Sequence, residues 1–155
     1  IVGVFKADDS QGAERHKGYV KALQEAGMSY QPELVVWFHT EHRKVKPAVM
    51  VQMMLEAELP IDAVVCYNDQ IAVEVIRMLE RIGKKVPEDI SVAGFDGTEM
   101  AAYYNPAITT IRQPAEIMAK ETIKLLFDSI KKKTKVQQLI FEGELVPGES
   151  VKKRK

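Results

Sequence analysis

Val64-Val65-Cys66-Tyr67-Asn68-Asp69 is an apolar run that stops on polar residues, and a helix-patterned stretch follows at once. The same junction recurs at Val4-Phe5-Lys6-Ala7-Asp8-Asp9, at Val35-Val36-Trp37-Phe38-His39 and at Val92-Ala93-Gly94-Phe95-Asp96. Short apolar runs alternating with amphipathic segments predict an α/β fold, a doubly wound parallel sheet with helices on both faces. In such a sheet all these junctions lie along the carboxyl edge of the strands, where ligands bind. The four junctions therefore outline one pocket. Carboxylates, amides and rings at that edge suit a sugar, because each hydroxyl offers a donor and an acceptor and each sugar face offers C–H surface.

Working outward from this stretch, residues 61–67 read as a strand and 68–82 as an amphipathic helix. Ile71, Ala72, Val75, Ile76 and Leu79 point inward, and Gly83 is the stop. Upstream, residues 1–6 read as a strand and 10–26 as a helix with Ala13, His16, Tyr19, Val20 and Leu23 as its inward stripe. Residues 34–38 form the next strand. A helix follows over 45–58, opening near Pro47, with helical spacing through Val49, Met53, Met54 and Ala57. Downstream come a strand over 90–95, a brief strand over 108–111, a helix from Pro114 to about residue 130 and a terminal strand over 139–146. The pattern turns irregular at 105–113, which marks a crossing to another lobe. The expected organisation is one lobe over 1–112, a helix returning to the other lobe over 113–131, and a terminal strand with a basic tail over 132–155.

With 155 residues, 46% of them hydrophobic, the chain has room for one domain with a real core. Its 22 basic and 22 acidic residues cancel, so no whole-domain field draws it to nucleic acid or to an anionic membrane. The basic runs Lys131-Lys132-Lys133 and Lys152-Lys153-Arg154-Lys155 read as a solvated loop and a frayed terminus rather than as a phosphate-binding patch. The single cysteine, Cys66, excludes an internal disulfide and fits a reducing compartment. No apolar run approaches the length of a membrane span. The chain opens mid-pattern at Ile1, as though cut from something longer.

Within the outlined pocket, Asn68 and Asp69 follow a buried strand and open a helix. One of them is expected to be the N-cap, leaving the other free to face a ligand. Asp96, in Gly94-Phe95-Asp96-Gly97, reads either as an Asx-turn or as a ligand-binding carboxylate on a loop that lets the backbone come close. Arg15 could pair with Asp8 or Asp9, or span two adjacent hydroxyls with its guanidinium. Trp37 and Phe38 point to opposite sides of their strand, and Phe38 is the preferred pocket ring. His39 and His42 lack a third metal ligand of obvious spacing, and no nucleophile elbow, phosphate loop, dinucleotide fingerprint or Cys-x-x-Cys is present. Asp8, Asp9 and Asp96 could make an acid/base pair only at a separation that sequence does not supply. Neither catalysis nor a cofactor or metal is expected.

The run Ile61-Asp62-Ala63-Val64-Val65-Cys66-Tyr67-Asn68-Asp69-Gln70-Ile71-Ala72 resembles the helix-opening signature of the LacI/GalR family of bacterial repressors. So do Val86-Pro87-Glu88-Asp89-Ile90-Ser91-Val92-Ala93-Gly94-Phe95-Asp96, Pro106-Ala107-Ile108-Thr109-Thr110-Ile111-Arg112-Gln113-Pro114 and Arg15-His16-Lys17-Gly18, in the family's order and spacing. The opening Phe5-Lys6-Ala7-Asp8-Asp9-Ser10-Gln11-Gly12 resembles, more narrowly, the arabinose-responsive members of Gram-positive bacteria, which join such a sensing domain to a GntR-type winged helix. The resemblance implies a two-lobed sensing domain of periplasmic-binding-protein type, with this chain supplying mainly the carboxyl-terminal lobe. It implies a sugar effector, L-arabinose, gripped by Arg15, Asn68 and Asp96, with Phe38 where the family often places a bulky pocket residue. It also implies a cytoplasmic homodimer that reaches operator DNA only through a domain outside these residues. Gly97 departs from the family, which often has a second acidic residue there. A secreted sugar-binding protein feeding a transporter is the alternative with the same fold.

Overall fold

The computed structural model describes residues 1–132 and 138–153. Four short strands, β1 (Val2–Lys6), β2 (Val35–Phe38), β3 (Ala63–Cys66) and β4 (Ser91–Ala93), form a parallel sheet in the order β2-β1-β3-β4. Val4 lies opposite both Val36 and Cys66, and Val64 opposite Val92, so β-branched residues run in rows across the pleat. Successive side chains alternate between faces. One row, with Val2, Val4, Val36, Phe38, Val64 and Cys66, enters the main core beneath α2 (Lys46–Glu56) and α3 (Asp69–Arg81). On the opposite face Phe5 packs with Tyr19 and Leu23 of α1 (Ser10–Glu25).

All five inward residues expected on α3 are buried. Two other stripes are corrected. On α1, Ala13 is exposed and Gly12 is buried in its stead; on α2, Val49 and Met53 face outward while Pro47, Ala48 and Val51 are buried. Apolar residues surround α2 on most sides, so periodicity alone does not choose its buried face. Beyond β4 the chain passes through a short α4 (Glu99–Tyr103) into β5 (Thr110–Arg112), which pairs antiparallel with β6 (Glu144–Val146). Between these two strands runs the 18-residue α5 (Ala115–Lys132).

After β6 the chain returns to the four-stranded sheet. Ser150 is fully buried, its hydroxyl donating to the Val92 carbonyl at 2.6 Å while its own carbonyl accepts from the Val92 amide at 2.8 Å. The Lys152 ammonium donates to the Glu88 carbonyl, so the expected frayed terminus is instead tied down as far as this residue. Lys133, Arg154 and Lys155 of the two basic runs lie outside the described residues. No described helix is long and apolar enough to cross a membrane.

Candidate functional site

The carboxyl edge of the sheet gathers residues that are far apart in sequence. Asp9 caps α1, its carboxylate accepting from the Gly12 amide at 2.6 Å, and this cap sets the start of the helix on whose second turn Arg15 stands. The Arg15 guanidinium lies over two rings, its central carbon 3.9 Å from the Phe95 centroid and 4.4 Å from that of Tyr67. One of its nitrogens donates to the Tyr67 carbonyl; the other pairs with Asp96 at 3.1 Å. Arg15 therefore spends its charge on Asp96, 81 residues away, rather than on the neighbouring Asp8 or Asp9. Asp9 instead pairs with Lys6 at 3.0 Å and accepts from the Tyr67 hydroxyl at 2.8 Å.

Asn68 follows Tyr67 directly and caps α3, its side-chain oxygen accepting from the Ile71 amide at 3.0 Å. Asp69 does not face the pocket. It is fully buried, accepting from the amide and hydroxyl of Thr98 at 2.8 and 2.9 Å and from the Thr110 hydroxyl at 2.6 Å. Its carboxylate occupies the space beside Gly94, where a Cβ would stand 2.3 Å from the nearer oxygen. Asp96 itself holds φ at 106°, a left-handed conformation rare for a residue with a side chain and characteristic of functional loops.

The geometry brings together Arg15 and Asp96; Asn68 follows Tyr67, whose carbonyl Arg15 holds, and spends its own side-chain oxygen on the α3 cap. The same geometry removes Phe38, whose ring is 2% exposed and packs edge-on against Tyr67 with 5.8 Å between centroids. Its strand face is the one that α2 and α3 cover, so it props the site from beneath. Trp37 takes the opposite face, beside His16 at 4.9 Å and Phe5 at 5.9 Å. Sequence reasoning missed Gln113, whose side-chain amide donates to Asp96 at 2.7 Å, and Tyr67, which supplies a carbonyl, a ring and a hydroxyl. Gln113 stands in the segment singled out as irregular, but nothing in its spacing joins it to Asp96.

Burial works against ionisation of Asp9, yet the Gly12 amide, Lys6 and the Tyr67 hydroxyl outweigh it and hold this carboxyl below its ordinary value. Burial, aided by Asp9, pushes the Tyr67 phenol up to about 12. Near neutral pH Asp9 is therefore an ionised carboxylate and Tyr67 a neutral phenol, beside the Arg15–Asp96 salt bridge. That set supplies donors and acceptors in close alternation, as neighbouring hydroxyls require. His39 and His42 are exposed, and among the described residues no cluster of three His, Cys, Asp or Glu could hold a metal.

A mostly apolar groove between α1 and β5–β6, with a volume near 720 Å³, adjoins the site and shares Arg15 and Phe95 with it. Tyr19, Leu23, Val65, Ala93, Ile111 and Leu145 line the groove, and they offer a polyhydroxylated ligand almost nothing.

Fold and edge together define one lobe of a doubly wound binding domain. The chain belongs to the family of periplasmic binding protein-like domains, whose model matches residues 1–151. It is 32% identical over 154 residues to the arabinose metabolism transcriptional repressor of Halalkalibacterium halodurans, covering 94% of this chain and 41% of that protein. It is 34% identical over 148 residues to the HTH-type transcriptional repressor PurR of Aliivibrio salmonicida, covering 94% and 44%. Among solved structures it resembles a complex of the transcriptional regulator CelR with cellobiose, at 31% identity and a TM-score of 0.87, covering 96% of this chain and 46% of that one. The chain thus spans less than half the length of these relatives, which are transcriptional regulators and not enzymes.

Proposed function

We propose that this chain is the carboxyl-terminal lobe of a sugar-sensing effector domain in a bacterial transcriptional repressor, and that the effector is L-arabinose. The observation that carries the reading is the convergence of Arg15 and Asp96 at 3.1 Å, with Asn68 following Tyr67, whose carbonyl Arg15 also holds. Both ends of the pair are partly open, at 13% and 31% side-chain exposure, so a ligand can reach them without unfolding the lobe. The relatives named arabinose repressors and the cellobiose complex of CelR favour a sugar over other polar ligands.

In this reading residues 1–112 form the lobe, 113–131 lead to a second lobe, and the sugar bridges the two. A ligand shifts such an equilibrium only by binding one orientation better than the other. Gln113 and α5 stand where that difference would be felt, because Asp96 is tied by hydrogen bonds to the segment entering α5. Closure in a cytoplasmic homodimer would then alter how two DNA-binding domains meet an operator.

Calorimetric titration of the full-length protein with a panel of pentoses and hexoses tests this. Saturable heat with L-arabinose above the other sugars is expected. Heat with a different sugar would replace the ligand, and no heat with any sugar would overturn the reading.

A further inference from the structure

Asp69 is the most deeply buried polar group beside the site, and every partner of its carboxylate belongs to the segments that hold Asp96. Thr98, two residues after Asp96, donates its amide and hydroxyl to one oxygen, and Thr110 of β5 donates its hydroxyl to the other. The same Thr110 hydroxyl accepts from the Gly97 amide at 3.2 Å. The Asp69 amide in turn donates to the Phe95 carbonyl at 2.8 Å. Residues 95, 97 and 98 are thus each fixed, directly or through Thr110, to one residue at the start of α3. Asp96 is the one position between them whose carboxylate reaches Arg15 and Gln113.

We propose that Asp69 is the positioning residue of the ligand-reading loop, holding Asp96 in its left-handed conformation so that the carboxylate meets Arg15 and an incoming hydroxyl. This rests on the sugar-binding reading above. A carboxylate suits the task because both oxygens accept while all three partners donate; an amide would offer one acceptor and turn a donor towards another donor. Thr98 also caps α4, accepting from the Ala101 amide, so the clamp extends from α3 through the loop into the next helix.

The test compares wild type with Asp69→Asn, Thr110→Val, Thr98→Ser and Thr110→Ser in the full-length protein. Backbone carbon and amide resonances of Asp96, Gly97 and Thr98 report the loop, and calorimetry reports L-arabinose affinity. In Asp69→Asn and Thr110→Val the Asp96 resonances are expected to shift and affinity to fall at least tenfold, at a temperature where circular dichroism shows both folded. The serine variants, which keep the hydroxyls, are expected to retain both. Asp96 resonances unchanged in a folded Asp69→Asn overturn the proposal. Should that variant not fold, the same outcome in Thr110→Val overturns it. If wild type binds no sugar, the functional reading fails while the resonances still decide the role of Asp69.

Discussion

Helices α3 and α5 both spring from the candidate site, one capped by Asn68 and the other entered just past Gln113, yet they meet opposite fates. On α3, Ala72, Val75, Ile76 and Leu79 are fully buried against the sheet. On α5, Ile117, Ile123, Leu126, Phe127 and Ile130 are all more than half exposed. Both have amphipathic sequences. Periodicity therefore shows that a helix has an apolar face, whereas only the surrounding chain decides what covers it.

The comparison predicts its largest effect in the core. Leu79→Ala or Ile76→Ala should cost about 2–5 kcal/mol, because each leaves a cavity under the sheet. Leu126→Ala on α5 should stay within about 0.5 kcal/mol in this chain, as expected of an exposed position. Urea denaturation followed by circular dichroism measures both, and equal losses would erase the distinction. Where the two helices meet the site, Arg15→Ala and Asp96→Ala should each weaken sugar binding by roughly 1.5–3 kcal/mol, the scale of a hydrogen bond to a charged group. Folded variants with wild-type titration curves would remove both from the site.

A smaller contrast lies in the helix entrances. Asn68→Ala removes the α3 cap and should lower stability by about 1 kcal/mol. Gln113→Ala should leave the melting temperature nearly unchanged but leave the Asp96 carboxylate held by Arg15 alone, a change that shows in affinity only. The smallest expected effect is spectroscopic. Partial burial holds His16 below its ordinary value of 6.5, so its contribution to stability is intact above pH 6.5 and is lost as pH falls through the folded value. Trp37, the one tryptophan of the chain, sits 4.9 Å from that ring. Its fluorescence should drop with a midpoint below 6.5 as His16 gains charge. A midpoint at or above 6.5, or an unaltered titration in His16→Leu, would contradict the assignment.

How much of this was legible in advance follows from the range of each interaction. The parallel sheet and α3 could be read because their signal is local: β-branched runs, a capping residue and an unbroken stripe. The buried side of α1 was misjudged because Gly12 carries no hydrophobic signal; it is buried because an added Cβ would stand 1.8 Å from the Lys6 carbonyl oxygen. Phe38 was misassigned for another reason. Alternation gives two faces but does not name the one that α2 and α3 cover. Arg15, Asn68 and Asp96 were marked by residue type at strand ends, while the partnership of Asp96 with Gln113 and the clamp of Asp69 on Thr98 and Thr110 depend on how distant segments cross.

The uncovered side of α5 carries a practical consequence for anyone handling this polypeptide. Five large oily side chains on one rod are a ready target for fluorescent dyes that brighten on grease and for the same rod on a neighbouring molecule. Bright dye uptake and concentration-dependent clumping in the isolated chain, both suppressed when the complete protein is made, would show that α5 is sheltered by residues beyond those described.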